Sequence, residues 1–293
     1  MRLHRSGRRA HRPPTNAKMT EDTPKVKSRF LAEAVRRKRT AVRRERGARS
    51  VAELRGEAAE RSPARPWAEA LRGPGTAVIA EIKRRSPSAG DLAVEVDVAA
   101  RARLYSERGA AAVSVLTDAA FDGALADLEA VAPAAAVPVL RKDFLVDPWQ
   151  VWESRAAGAD AALLIVAAVD DAALEAIAAA AEEAGLGLLV EIHAEEEADR
   201  ATAIDPEVIG VNARDLRSLE VSLPRGLATV AGLRERLGDS VILVAESGVS
   251  GPEDVARARD AGADAVLVGE HLMRSPRPGA ALAALVEAGG SGP

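Results

Sequence analysis

The sequence predicts an α/β protein, a closed (β/α)8 barrel with extra helices at its N-terminus. Between residues 77 and 270, eight short apolar segments alternate with Ala-rich segments of helical spacing. The apolar runs are nearly continuous, as in ALLIV and AVLV, which is typical of parallel strands covered on both faces. Eight such units over about 200 residues match a barrel. An open doubly wound sheet is the alternative, but the Gly-rich phosphate loop expected after its first strand is missing.

The basic head, residues 1–27, is predicted to be a disordered extension. Residues 1–20 carry six Arg or Lys and no acid, so subtracting +6 from the formal net charge of −4 leaves about −10 for the remainder. The head lacks the apolar core of a secretory signal. Three interpretations stay open: a transit-like segment, a disordered tail, and an upstream extension before a start at Met19. The last two are favoured.

Residues 28–293 are predicted to form one barrel domain that begins with capping helices over residues 28–72. Helical spacing in Ser28–Ala48 gathers apolar side chains on one side and basic side chains elsewhere. A basic amphipathic helix can bind a membrane or an acidic partner, but the thin apolar stripe favours packing on the domain. Two further short helices are predicted at 51–60 and 62–71.

The barrel elements follow from the alternation of apolar and Ala-rich segments. Each apolar run is short and bounded by Gly, Pro or Asp, which favours a buried strand. The strands are predicted at 77–83, 111–117, 137–143, 160–166, 187–193, 208–213, 240–247 and 264–270. Helical patterns between them include 96–108, 149–157, 170–184 and 252–261, and a tail helix is predicted at 278–288.

The composition of the 293-residue chain excludes several classes of function. With no cysteine there is no disulfide framework, thiol nucleophile or thiolate zinc site. Two of the four histidines, His4 and His11, lie in the head, so we expect no metal site and no cofactor. No apolar run reaches the roughly 18 residues of a membrane span, and an acidic body disfavours nucleic acid. These features fit a protein of the reducing cytoplasm.

Polar side chains recur at the C-terminal ends of the predicted strands, where barrels place their catalytic groups. Strand alternation puts Glu81 and Lys83 on one face of the first strand. Taken alone, they are equally well explained as an ion pair that pins the loop. The recurrence along the chain favours a site. Further strand ends supply Thr117, Asp118, Arg141, Lys142, Asp143, Glu191, His193, Asn212, Arg214, Glu246, Glu270 and His271.

Two features near these strand ends indicate the type of ligand. Phe121 and Phe144 follow the second and third strands and are either core plugs or an aromatic wall for a flat apolar ligand. Ser247-Gly248 and Gly269-Glu270 follow the seventh and eighth strands, where barrels bind phosphate through backbone N–H groups. Lys83 and Arg214 would add positive charge. The residues alone therefore predict a metal-free barrel that binds a small phosphorylated substrate with an apolar part and uses Lys and Glu for acid–base chemistry.

Several long segments, taken together and in order, resemble the indole-3-glycerol phosphate synthase family over about residues 28 to 285. The most specific are IAEIKRRSPSAG at Ile79, SVLTD at Ser114, PVLRKDFLVDPWQV at Pro138, GADAALLI at Gly158, LVEIH at Leu189, GVNARDL at Gly210 and AESGV at Ala245. The resemblance implies a carboxy-lyase of tryptophan biosynthesis. Its substrate would be 1-(2-carboxyphenylamino)-1-deoxyribulose 5-phosphate, which undergoes ring closure, decarboxylation and dehydration.

The resemblance also implies roles for individual residues. Lys142 would be the general acid on the ribulose carbonyl, Glu191 the general base for dehydration, and Glu81 an aid to proton transfer. Lys83 and Ser86 would engage anionic groups of the substrate, Asn212 its hydroxyls or developing charge, and Arg214 would orient carboxylates including Glu246. The phosphate site would comprise Ser247, Gly248, Gly269 and Glu270, and the anthranilate pocket Phe121, Phe144, Leu163 and Leu216. We expect a monomer or weak homo-oligomer.

Two departures and three rival functions qualify the resemblance. Trp149 stands where the family usually has Tyr, and Pro66-Trp67 differs from a common Pro-x-x-Phe-type segment, which bears on packing. Phosphoribosylanthranilate isomerase, a related phosphate-binding barrel, relies on a catalytic Cys that is absent here. A Schiff-base aldolase could also use Lys142. An idle scaffold barrel would have no need of Glu81, Lys142 and Glu191 in one cavity.

Overall fold

The computed structural model describes residues 30–86, 90–93, 95–215 and 218–290. The predicted extension at residues 1–27, the alternative start at Met19 and the pocket residue Leu216 lie outside the described residues. No helix within the described ranges is long and apolar enough to cross a membrane.

Eight parallel strands close into a barrel, as the sequence predicts. They follow one another around the ring in chain order, and the first pairs with both the second and the last. The strands are β1 (Ala77–Ile82), β2 (Ala112–Leu116), β3 (Val139–Lys142), β4 (Ala161–Ile165), β5 (Gly187–Ile192), β6 (Val208–Asn212), β7 (Ile242–Glu246) and β8 (Ala265–Val268). All but two of their residues are buried, which explains their nearly continuous apolar sequences.

Helices precede the barrel and connect its strands. They are α1 (Phe30–Ala48), α2 (Val51–Ala59), α3 (Trp67–Leu71), α4 (Val98–Glu107), α5 (Leu125–Val131), α6 (Trp149–Ala156), α7 (Asp171–Ala184), α8 (Ala198–Thr202), α9 (Leu223–Leu237), α10 (Pro252–Asp260), α11 (Glu270–Arg274) and α12 (Pro278–Gly289). Short 3-10 turns lie at Ala119–Phe121, Val166–Ala168 and Glu195–Glu197, and Arg85–Ser86 pairs with Gly90–Asp91 in a small hairpin after β1.

Two predicted boundaries are wrong for identifiable reasons. The helix predicted at 62–71 begins only at Trp67, because Pro63 and Pro66 disfavour helical backbone in the residues before them. The eighth strand was predicted to reach residue 270 but ends at Val268. Glu270 instead starts α11, since Gly269 leaves the extended region with φ −120° and ψ −67°. All strand ends, including that of β8, fall within two residues of their predicted positions.

The N-terminal helices run along the barrel from one end to the other. At the C-terminal ends of the strands, Lys38 of α1 is ion-paired with Asp143 just after β3. On the side, Trp149 Nε1 of α6 donates a hydrogen bond to the Arg49 carbonyl at 2.9 Å. At the N-terminal ends, Trp67 packs on Gly187, where an added Cβ would lie 2.8 Å from the indole ring. The two tryptophans that depart from the family pattern are therefore buried packing residues.

Candidate active site

The residues to which the resemblance assigns a role, where the structure describes them, all line one cavity at the C-terminal ends of the strands. Of the other strand-end residues named above, Asp118 and Asp143 also line it, whereas Thr117, Arg141, His193 and His271 do not. The cavity has a volume of about 130 Å³ and opens to solvent. It contains Glu81, Lys83, Ser86, Phe121, Lys142, Phe144, Leu163, Glu191, Asn212, Arg214, Glu246, Ser247, Gly248, Gly269 and Glu270. The closed barrel accounts for this convergence, because its strand ends share one rim.

Lys142 lies at the floor of this cavity between two carboxyl groups from the far side of the barrel. Its Nζ donates to Glu191 Oε2 at 2.8 Å and lies 2.9 Å from Glu246 Oε2. Burial alone would lower the pKa of Lys142, but these carboxyl groups, with Glu81 farther off, raise it well above its usual value. Lys142 is therefore held as an ammonium ion at neutral pH.

The two carboxyl groups beside Lys142 differ in protonation. Burial would raise the pKa of Glu191, but Lys142 and His193 hold it well below its usual value. Burial raises the pKa of Glu246 to about 8, with Lys142 opposing the shift and Glu191 adding to it. Two like charges this close do not both ionise readily, and the lowered pKa of Glu191 beside the raised pKa of Glu246 favours Glu246 as the protonated member of the pair.

Gly210 of β6 makes the room that Glu246 needs. A Cβ at this position would lie 2.0 Å from Glu246 Oε1 and 3.1 Å from Leu189 Cδ1. The strand register places Gly210 beside Glu191 and Asn212 beside Glu246, so the carboxyl of Glu246 fills the space above the glycine.

Glu81 and Lys83 form an ion pair on the opposite part of the floor. Lys83 Nζ donates to Glu81 Oε2 at 2.5 Å, and both side chains are largely buried. The pair rests on the backbone of Gly269, where a Cβ would lie 2.2 Å from Glu81 Oε2 and 2.8 Å from Lys83 Nζ. Position 269 therefore needs glycine for a close approach, in addition to its place in the predicted phosphate site.

Asn212 connects the acid–base groups with the predicted phosphate turn. Its Nδ2 donates to Glu191 Oε1 at 3.1 Å, while its Oδ1 accepts from Ser247 Oγ at 2.8 Å and from the Arg214 backbone N–H at 3.0 Å. These contacts fix which end of the amide faces the carboxylate.

The turn after β7 has an unusual backbone. Ser247 and Gly248 have φ values of 67° and 86°, and left-handed backbone is strained for serine. Consecutive residues of this kind can direct their N–H groups into a concavity that suits an anion. At the neighbouring β8, the Glu270 carboxylate is paired with Arg274 at 3.0 Å, which leaves its backbone N–H as the group suited to an anion.

Arg214 lines the same cavity, and its role in orienting carboxylates stays a prediction. The cation beside Glu246 is Lys142, whereas the charges that act on Arg214 belong to Glu270 and Glu81. Arg214 Nη1 donates to the Leu219 carbonyl at 3.1 Å, which holds the guanidinium toward the β6–α9 loop. Burial is the largest influence on Arg214 and lowers its pKa.

All three phenylalanines of the chain meet at one wall of the cavity. The ring centroids of Phe121 and Phe144 are 6.5 Å apart, and Phe30 lies 6.4 Å and 6.2 Å from them. Leu163 of β4 also lines the cavity. Sequence reasoning missed Phe30, because it assigned that residue to the packing face of α1. The barrel topology places this wall near β2 and β3, across the mouth from the β7 turn.

A buried charge network beneath α1 was also missed. Lys38 Nζ lies 2.8 Å from Asp118 Oδ2 and 2.6 Å from Asp143 Oδ1. Asp143 Oδ2 in turn accepts from Arg141 Nη2 at 2.9 Å and from Thr117 Oγ1 at 2.7 Å. One face of α1 carries Phe30, Ala34 and Lys38, which are spaced by four residues. This spacing is the one signal in the sequence that could have placed Phe30 and Lys38 on the same side of the helix.

The loop after β1 is held by a bidentate ion pair. Arg84 Nη1 and Nη2 donate to Asp127 Oδ2 and Oδ1 at 2.6 Å and 2.8 Å. This contact attaches the loop to α5 and fixes the exit of β1, next to which Ser86 is buried. Among the described residues, no group of three or more His, Asp or Glu side chains could hold a metal ion.

Comparison with solved structures identifies the fold. The chain matches 3-hexulose-6-phosphate synthase with a TM-score of 0.57 at 17% identity, covering 73% of this chain and 99% of that one. It matches the thiamine phosphate pyrophosphorylase of Pyrococcus furiosus with a TM-score of 0.56 at 16% identity, covering 76% and 97%. At such identities these similarities concern architecture alone.

Comparison of sequences identifies the family. The family model described as indole-3-glycerol phosphate synthase matches residues 31–285. The indole-3-glycerol phosphate synthase of Mycobacterium avium (strain 104) is 51% identical over 241 residues, which cover 82% of this chain and 87% of the relative. That of Streptomyces griseus is 50% identical over 247 residues, covering 84% and 90%. The chain therefore belongs to the indole-3-glycerol phosphate synthase family.

Proposed function

We propose that Lys142 and Glu191 are the acid and the base with which this chain performs the ring closure of its family. The reaction forms a carbon–carbon bond between the aromatic ring and the ribulose carbonyl carbon of 1-(2-carboxyphenylamino)-1-deoxyribulose 5-phosphate. The ring carboxylate leaves as carbon dioxide and the former carbonyl oxygen as water, giving indole-3-glycerol phosphate. The observation that carries the proposal is the contact of the buried Lys142 ammonium with Glu191 Oε2 at 2.8 Å.

Proton donation by Lys142 would activate the base. In the free enzyme the ammonium stabilises ionised Glu191, which weakens that carboxylate as a base. When the ammonium turns to the substrate carbonyl oxygen, Glu191 loses this partner and its affinity for a proton rises. Glu191 can then take the proton released during dehydration. Glu81, which also raises the pKa of Lys142, would assist the return of a proton to the lysine.

The two ends of the substrate fit the two sides of the cavity. The aromatic ring would lie against Phe121, Phe144 and Leu163, with Phe30 completing the wall, and Leu216 is proposed for the same pocket. The phosphate would bind the backbone N–H groups of the turns Ser247-Gly248 and Gly269-Glu270, which is supported by the left-handed Ser247. Lys83, Ser86 and Arg214 would serve the anionic groups, and Asn212 the hydroxyls.

The direct test is to add the carboxyphenylamino substrate to the purified chain and follow indole fluorescence together with carbon dioxide release. We expect the two products in equal amounts. Consumption of substrate without an indole product would overturn the proposal. A Schiff-base aldolase is disfavoured, because it requires a neutral lysine and the pKa of Lys142 is raised. Borohydride in the presence of substrate should therefore trap no covalent adduct on Lys142.

We further propose that residues 28–293 act as one domain in the cytoplasm, as a monomer or weak homo-oligomer. The absence of cysteine is compatible with a reducing compartment. The partner would be a small phosphorylated aromatic molecule, and not a nucleic acid or a membrane. Sedimentation of the full chain at micromolar concentration would distinguish a monomer from a stable oligomer.

A further inference from the structure

Glu191 and Glu246 compete for one proton and one cation. Their Oε2 atoms lie 2.8 Å and 2.9 Å from the same Lys142 Nζ, and each residue is 1% exposed. Gly210 packs against Glu246 Oε1 and restricts the space there. If Lys142 alone set the pKa values of Glu191 and Glu246, the two carboxyl groups would be nearly equivalent, and either could hold the proton.

Contacts on the other oxygen of Glu191 remove this equivalence. Glu191 Oε1 accepts from Asn212 Nδ2 at 3.1 Å and lies 3.2 Å from His193 Nε2. Among the described side chains, none forms a hydrogen bond with either oxygen of Glu246, whose one cation within 4 Å is Lys142. The contact of His193 Nε2 with Glu191 lacks hydrogen-bond geometry as well, so it acts as an ion pair. Asn212 supplies a neutral donor, whereas His193 can supply a full positive charge.

The surroundings of His193 favour its charged form. Its backbone N–H donates to Glu197 Oε2 at 2.9 Å, and its Nδ1 lies 3.8 Å from the same oxygen. Burial alone would lower the pKa of His193, but the carboxylates of Glu191 and Glu197 raise it to about 9. The other charged groups around the depression that His193 lines are Arg39 of α1, Glu196 beside Glu197, and Asp215 and Arg225 of the β6–α9 segment.

His193 lies behind Glu191, away from the place of the substrate. Glu191 lines the main cavity, whereas His193 and Glu197 line a second depression between α1 and the turn after β5. His193 does not line the main cavity, so it can act on the substrate only through Glu191.

We propose that His193, held by Glu197, is a positioning residue that keeps Glu191 rather than Glu246 ionised when Lys142 leaves the pair to engage the substrate. This inference rests on the proposed role of Glu191. Lys142 frees Glu191 Oε2 to receive the substrate proton, while Oε1 stays with His193 and Asn212. Without the imidazolium, the proton of the pair would move from Glu246 to Glu191, which would then have no free site for the substrate proton.

The test compares His193→Gln with the wild type in the full chain. Glutamine keeps a donor amide near Glu191 but carries no charge. We expect kcat to fall at least about tenfold, and the acid limb of its pH profile to move up by about one unit, because one unit of pKa corresponds to a tenfold change in equilibrium. KM should change less than about threefold, since His193 does not touch the substrate. A kcat within twofold of the wild type with an unmoved profile would overturn the proposal.

Glu197→Gln provides a second variant that leaves the cavity intact. Glu197 is partly exposed, so this change is compatible with folding even where His193→Gln is not. It should lower the pKa of His193 and reduce kcat in the same direction but by less, while Glu196→Gln, its exposed neighbour in the same depression, should leave kcat unchanged. Equal effects of Glu197→Gln and Glu196→Gln on kcat would refute the assignment.

Imidazole titration by nitrogen NMR separates this inference from the proposed function. In the free wild-type enzyme His193 should be protonated at pH 7, and its pKa should fall in Glu197→Gln. A neutral imidazole at pH 7 would overturn the inference whatever the enzyme catalyses. Conversely, a protein that titrates as expected but forms no indole product would refute the proposed function and leave the charge arrangement standing.

Discussion

Lys38 Nζ of α1 lies 2.6 Å from Oδ1 of Asp143, the residue that directly follows Lys142. The same Asp143 accepts hydrogen bonds from Arg141 and Thr117 on its other oxygen. The N-terminal helix is thereby ion-paired to the strand that carries the proposed acid. Since α1 also brings Phe30 to the cavity, its attachment contributes both to the stability of the domain and to the shape of the site.

Replacing Lys38 by methionine should destabilise the domain by about 3 kcal/mol, because it leaves two buried carboxylates without their shared cation. Burial would raise the pKa of Asp143, but Arg141 and Lys38 lower it to about 2. A carboxyl group whose pKa is lower in the folded protein than in the unfolded chain stabilises the fold at pH values above its unfolded pKa of about 3.9. This contribution is lost as the pH falls through the folded pKa. The loss in free energy of unfolding caused by Lys38→Met should therefore be largest above pH 4 and shrink toward pH 2.

Urea unfolding across that pH range measures this effect. Arg37→Met is the matched control, because Arg37 is exposed on the same helix. It should change the free energy of unfolding by less than about 0.5 kcal/mol. Equal losses in the two variants would show that the ion pairs of Lys38 carry no special weight.

Replacing Phe30 by alanine should weaken substrate binding more than it slows turnover. The change removes one of three rings that contact each other at 6.2–6.5 Å, and such aromatic contacts are worth about 1 kcal/mol each beyond buried area. We expect KM to rise about tenfold and kcat to change little. Leu31→Ala, on the same helix but outside the main cavity, should leave KM unchanged. A normal KM in Phe30→Ala would remove α1 from the binding site.

The architecture could be predicted from sequence because each strand is short, apolar and sharply bounded. The strand ends then converge by topology, so Glu81, Lys142 and Glu191 could be placed in one cavity without knowing any distance. Lys38 could not be found in this way. It is the one lysine in an Arg-rich helix, and nothing in its local pattern indicates that its ammonium group pairs with two carboxylates.

The protonation of Glu246 was equally out of reach of sequence reasoning. It depends on the shared contact with Lys142 and on the restricted space beside Gly210, which are both contacts between different strands. Sequence reasoning also did not identify Lys142 as the cation beside Glu246. Both side chains were expected at the same rim, but strand order alone does not say which cation reaches which carboxyl group.

Lys142→Ala should abolish turnover while leaving the fold nearly intact. Removing a general acid costs about two to four orders of magnitude in rate. Without the ammonium, the buried carboxyl groups can take up a proton, which limits the loss of stability. Lys142→Arg keeps the positive charge but should also be slow, since guanidinium does not release its proton. Indole fluorescence and thermal unfolding give the two readouts, and normal turnover by Lys142→Ala would exclude the lysine as the acid.

Glu191→Gln and Glu246→Gln should differ sharply, although both remove a carboxyl group beside Lys142. Glutamine resembles a protonated glutamate, the form that the raised pKa of Glu246 favours and the lowered pKa of Glu191 disfavours. We expect Glu191→Gln to lower kcat by at least about a hundredfold and Glu246→Gln by less than about tenfold. Equal losses of kcat in the two variants would mean that Glu246 is not the protonated member of the pair.

The stability of Glu246→Gln provides an independent check with a defined sign. A carboxyl group with a raised folded pKa contributes stability below its unfolded value of about 4.3, and that contribution is lost as the pH rises toward the folded value. The pKa of Glu246 is raised to about 8. The variant should therefore gain stability relative to the wild type as the pH rises from about 5 to 8. Parallel unfolding curves across this range would contradict the raised pKa.

Gly269→Ala should damage the site through a direct clash. The new Cβ would lie 2.2 Å from Glu81 Oε2 and 2.8 Å from Lys83 Nζ, so the ion pair that rests on this backbone has to move. We expect a loss of at least about tenfold in kcat/KM, because a misplacement of about 1 Å can cost a hundredfold in rate. Gly56→Ala is the matched control, since Gly56 lies in α2 with open space around it. That change should raise the free energy of unfolding by about 0.5–1 kcal/mol through helix propensity and leave activity unchanged. Full activity in Gly269→Ala would show that the position of the Glu81–Lys83 pair is unimportant for the reaction.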